Sequence, residues 1–139
     1  MTAARFDIAA VRDFVGERPF AAGESYAAEG RVDLIAVEDD GLSAHVTGGE
    51  DTYLVELRGW GGEGGCTCLA YDKFGPCKHM AAAALAFNAA DPLDLAKVRG
   101  RLSRLRDGLD LDSKDELIAR IIDLAKQHPV LLRALDPRD

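Results

Sequence analysis

Three cysteines and one histidine constrain this chain more than any other feature. They read Cys66-Thr67-Cys68, then eight residues, then Cys77-Lys78-His79. All the cysteines of the chain fall in this one stretch, and their number is odd. That distribution fits a disulfide framework poorly and a metal site well. In an extended strand, residues two apart point to the same side, so Cys66 and Cys68 aim both sulfurs at one point. In a helix interior, residues two apart diverge. Cys77 and His79 therefore converge only if Cys77 stands at or before the first helical turn. Gly75-Pro76 just upstream favours that placement, because a proline disfavours helix in the residue before it. Leu69 to Phe74 is then the turn that joins the two halves.

Three thiolates and an imidazole make a four-coordinate tetrahedral set, for which zinc is the natural ion. Iron–sulfur clusters usually take four cysteines, and only three exist here. Such a site carries one net negative charge, which Lys73 and Lys78 stand near enough to offset. The N–H groups at the start of the following helix favour the Cys77 thiolate. Four protein ligands close the shell, so the zinc is read as structural. No H-E-x-x-H or H-x-E element supplies a general base, and an enzyme is not expected. A zinc-dependent enzyme is the remote alternative.

The remaining sequence reads as an α+β protein of 139 residues, expected to form one compact domain. Residues 1–30 hold two helices, the first with Ile8, Val11 and Val15 on one face and the second from Arg18 to Glu29. Residues 31–58 alternate as a three-stranded antiparallel meander. Val32, Leu34 and Ala36 form the first strand, Leu42, Ala44 and Val46 the second, and Tyr53, Val55 and Leu57 the third. Asp40-Gly41 marks the first hairpin turn. Residues 59–90 form the finger, expected as ββα-like. It opens with five glycines between Gly59 and Gly65, read as a flexible approach, and closes with an apolar helix from Met80 to Phe87, read as the buried central element. Residues 91–139 are helical. Asp91-Pro92 starts one helix, Ser113 and Glu116 form a capping box for another, and Pro129 opens a last one. His45 and His128 are read as surface residues, not ligands.

Here the residues resemble a known family. Cys-x-Cys…Cys-x-His, followed by Met80 and Ala81 to Ala83, looks like the SWIM-type zinc finger of small bacterial proteins. Phe20, Gly23, Tyr26 and Gly30-Arg31-Val32 are similar to the segment before it, so the resemblance covers about residues 18–88. It departs from the pattern at Leu69, where many members carry proline or an aromatic residue; Tyr71 follows. The resemblance implies Cys66, Cys68, Cys77 and His79 as zinc ligands, and DNA or a partner protein as the target.

Apolar residues make up 47% of the chain and charged residues 29%, with a net charge of −7. That balance is of a globular protein and argues against coating nucleic acid by bulk charge. No apolar run suits a membrane span and the N-terminus has no signal core, so a cytoplasmic location is expected, without membrane or small-molecule substrate. One cluster is basic: Lys97, Arg99, Arg101, Arg104 and Arg106, on a helix whose other side carries Leu95, Val98, Leu102, Leu105 and Leu109. With Lys73, Lys78 and Trp60 on the finger, these residues are the expected contacts to nucleic acid or a partner. The alternative is a pure protein adaptor. A C-terminal ridge of Leu117, Ile118, Ile121, Ile122, Leu124, Leu131, Leu132 and Leu135 is expected to pack as a helical pair, to self-associate, or to bind another protein.

Overall fold

The computed structural model describes residues 5–136 and Arg138. Helix α1 (Ile8–Val15) starts where the Asp7 carboxylate accepts the Ala10 N–H. It buries Val11 and Val15, the face read from the sequence, and α2 (Glu17–Ala28) follows directly.

The sheet is antiparallel with strands β1 (Val32–Glu38), β2 (Gly41–Gly48), β3 (Asp51–Arg58) and β4 (Gly64–Cys66), in that spatial order. It has one strand more than the meander expected. Val55 pairs with Cys66, Glu56 with Gly65 and Leu57 with Gly64, so the end of the glycine cluster is a strand instead of a flexible approach. Glycine makes the pairing sterically feasible: a Cβ on Gly64 would lie 2.0 Å from the Glu56 carbonyl oxygen. The alternation of β1 also breaks. Its register passes from Leu34 opposite Ala44 to Ala36 opposite Ser43, leaving Ile35 as a bulge. After the bulge Val37 stands opposite Leu42, and both are buried.

The finger segment continues through α3 (Leu69–Phe74) to α4 (Lys78–Ala89). Leu69 to Phe74, read as a turn, forms a short helix with no buried residue. Helix α4 is the central element: His79, Met80, Ala81 to Ala84 and Phe87 are all buried, and it packs on α2, α1 and the sheet. Phe6, Phe87 and Trp60 form an aromatic cluster beside it, with ring centroids 4.9 to 5.5 Å apart.

The expected single basic helix is two helices, α5 (Pro92–Val98) and α6 (Arg101–Asp110). Between them Arg99 is extended and bridges to Val37, and the Gly100 N–H donates to the Val37 carbonyl at 2.7 Å. The free edge of β1 outcompetes the next helical hydrogen bond, and Gly100 turns the chain at φ 66°, a region glycine enters without a Cβ clash. The apolar stripe is thereby split. Leu95 and Val98 pack on the core, whereas Leu102 and Leu105 are 42% and 55% exposed. Helices α7 (Lys114–Gln127) and α8 (Pro129–Leu135) complete the chain, and both halves of the capping box of Ser113 and Glu116 are made.

The chain divides into two compact units, residues 1–102 and 103–139, where one compact domain was the expectation. The first contains the sheet, α4 and the core. In the second, Ala125 is the one buried residue among those described. No helix among the described residues is long and apolar enough to cross a membrane.

Candidate metal centre

Each donor is placed by its own backbone. Cys66 ends β4. Thr67 clamps the next step to β3: its N–H donates to the Leu54 carbonyl at 3.1 Å, and its hydroxyl accepts the Leu54 N–H at 2.9 Å. Cys68 is extended (φ −75°, ψ 158°) and is the N-cap of α3, where its sulfur accepts the Tyr71 N–H at 3.3 Å. The Tyr71 hydroxyl donates to the Gly64 carbonyl at 3.0 Å and ties α3 back to β4. Cys77 is extended (φ −128°, ψ 171°) and is the N-cap of α4, with His79 in the first turn. This is the placement that Gly75-Pro76 implied.

The four ligand atoms lie within 4.8 Å of one another, and all four residues are buried. Cys66 Sγ and Cys77 Sγ are each 3.7 Å from His79 Nδ1. A tetrahedral zinc with bonds of ~2.3 Å to sulfur and ~2.0 Å to nitrogen sets that separation at about 3.5 Å, close to the distances found. The donor set and its spacing therefore fit zinc, with Nδ1 as the ligating nitrogen. The other ring nitrogen, Nε2, is buried and has no hydrogen-bond partner among the described residues. The His79 ring is held by aromatic contact instead, with Tyr53 at 4.7 Å and Tyr26 at 5.5 Å between centroids.

The charges suit a cation. Cys77 is pushed down to about 4, first by the hydrogen bond from the Cys66 thiol, then by His79 and by the Met80 N–H at the helix start; burial acts the other way. The same hydrogen bond, together with burial, pushes Cys66 well up. Lys78 stays near the site with its ammonium 5.1 Å over the Tyr26 ring.

The expected contact residues belong to several different elements. Lys73 is exposed on α3, beside Phe74, which is 83% exposed. Lys97 lies 3.7 Å from Asp94. Arg99 is in the bridge to Val37, and Arg101 donates to the Ile35 carbonyl at 3.2 Å. Arg104 and Arg106 are exposed on the part of α6 that belongs to the second unit. Trp60 is half-buried between Phe6 and Phe87. His45 and His128 lie outside the metal centre, and His45 is exposed on β2. Sequence reasoning missed Thr67, Tyr53 and Tyr71 as supports of the site. Their only local sign is position, next to or between the ligands or on the neighbouring strand.

No curated protein and no solved structure matches the chain. Residues 60–88 match the family model described as SWIM zinc finger, a span that contains all four ligands, Tyr71 and α3. This stretch of the chain is thus a SWIM zinc finger, with Cys66, Cys68, Cys77 and His79 positioned to hold one zinc ion.

Proposed function

We propose that this zinc-binding module serves to bind a partner protein and is not an enzyme. Four protein ligands complete the zinc shell and leave no position for a substrate, so the metal supports folding. The observation that carries the protein-binding reading is the apolar surface of α7 and α8. Ile118, Ile121, Ile122, Leu124, Leu132 and Leu135 are each about half exposed. A unit this small, with Ala125 its one buried residue among those described, has too little core of its own to explain so many apolar side chains. The test is the double substitution Ile118→Glu with Ile122→Glu, compared with the unaltered chain by crosslinking in cells treated with nuclease. Loss of a defined protein partner, with zinc content unchanged, supports the reading; an unaltered set of crosslinks rejects it. Light scattering on both proteins shows whether the partner is a second copy.

A nucleic-acid reading has one observation in its favour. On the finger, the cation Lys73 stands beside the exposed ring of Phe74, a pairing of charge and stacking surface that suits single strands. Lys78, Arg99, Arg104 and Arg106 would add phosphate contacts. The net charge of −7 favours the protein partner.

A further inference from the structure

Strand β1 is an outer edge of the sheet, and only half of that edge is covered. The Thr47 N–H donates to the Arg31 carbonyl at 3.0 Å. With Val32 opposite Val46 and Asp33 opposite His45, the alternation of an antiparallel ladder turns the main chain of Asp33 towards β2. The N–H and C=O groups of Val32 and Leu34 then face outwards. Beyond the bulge the edge is occupied: Arg101 meets the Ile35 carbonyl, and the Gly100 N–H meets that of Val37. For the outward groups of Val32 and Leu34, no hydrogen bond is found among the described residues. They open onto a groove of about 630 Å³. Ala86, Ala90 and Val98 supply its apolar lining, and Asp33, Asp94, Lys97 and Arg101 its charged lining, two of each sign.

Main-chain donors and acceptors left open at a strand edge are matched by another extended main chain, because only that repeats N–H and C=O at the same spacing. The small side chains of Ala86 and Ala90 leave room in front of that edge for side chains of a docked strand. We propose that this groove binds an extended peptide segment of a partner protein, which adds to β1 at Val32–Leu34 as a further strand. The proposal rests on the reading of the chain as a protein-binding module. Side chains of the segment alternate, so every second one meets Ala86, Ala90 and Val98, where a β-branched apolar residue fits. Natural sheets protect their edges against unwanted pairing. Here Arg99, Gly100 and Arg101 protect one half and limit the opening to a single short site.

Selection of a displayed random heptapeptide library on the full zinc-loaded chain tests this. The expected peptides carry β-branched residues at alternate positions. Their binding slows amide exchange at Val32 and Leu34, and N-methylation of their pairing residues removes it. Ala90→Trp fills the groove without touching the ladder or the zinc ligands, and should weaken these peptides by about tenfold or more. Val32→Pro removes one outward N–H at the first residue of the strand, where proline is tolerated, and should act in the same direction. Zinc content checks that both variants are folded. A selection without binders, protection at other amides, or unchanged affinity in Ala90→Trp overturns the groove. A partner still held through Ile118 and Ile122 would then leave the protein-binding reading standing; loss of that partner too would reject both.

Discussion

Cys77 Sγ lies 3.7 Å from His79 Nδ1 although one residue separates them, because Cys77 is extended and His79 is in the first turn of α4. The junction of strand-like and helical backbone is what converts a Cys-x-His spacing into a pair of converging ligands. One turn further into the helix, the same two side chains would point apart.

Zinc content should be close to one ion per chain by metal analysis, and chelation should loosen residues 60–88 in hydrogen exchange while leaving α7 protected. Folding and binding are coupled in sites that the unfolded chain does not preform. Cys77→Ser should reduce zinc affinity by more than the ~10–100-fold typical of losing a supporting residue, since it removes a ligand.

Gly64→Ala should be destabilising beyond the ~1–3 kcal/mol of ordinary backbone strain, because φ is 146° and the added Cβ would meet the Glu56 carbonyl oxygen at 2.0 Å. Separation of β4 from β3 would carry Cys66 away from the other ligands. Chemical denaturation and zinc content should therefore fall together, whereas Gly61→Ala should spare both.

Phe87→Ala should cost about 3–5 kcal/mol, as the ring is 3% exposed and touches both Phe6 and Trp60. Trp60 fluorescence would shift to longer wavelength as water reaches the indole. Unfolding followed by that signal gives both quantities in one experiment.

Ser113→Ala should destabilise α7 by about 1 kcal/mol through loss of its cap. Acid should act on the same turn. Glu116 is held below its ordinary value by the Ser113 N–H and hydroxyl, so its contribution is full above that ordinary value and lost as pH falls through the lowered one. Protection of the Leu117 and Ile118 amides, relative to their intrinsic exchange at each pH, should fall in that acid window, and should still fall, by less, in Ser113→Ala, which keeps the backbone N–H.

Should the chain bind nucleic acid, Arg104→Ala with Arg106→Ala should flatten the log–log dependence of affinity on salt by up to about two units, ~0.9 for each phosphate that is no longer neutralised. No detectable binding to single- or double-stranded DNA at low salt would leave the protein partner as the target. Arg101 is a poor choice for that experiment, because its guanidinium also holds the Ile35 carbonyl at the bulge.

The sequence alone determined the parts of this protein that depend on short spacing. The ligand set, the extended backbone before α4, the capping box at Ser113 and the burial of the alanine-rich helix each follow from residues within a few positions of one another, where backbone geometry leaves few choices. Tertiary structure decided the rest. Gly64–Cys66 is too short to show an alternating pattern and becomes a strand only because β3 lies beside it. Leu95 to Leu109 read as one amphipathic helix, yet the carbonyl of Val37 takes the Gly100 N–H and divides it. The bulge at Ile35 likewise redirects Val37 inwards and frees the carbonyl that Arg101 finds. In each case a hydrogen bond between distant segments overrode a local preference of similar size, and a linear pattern carries no record of which distant group will compete.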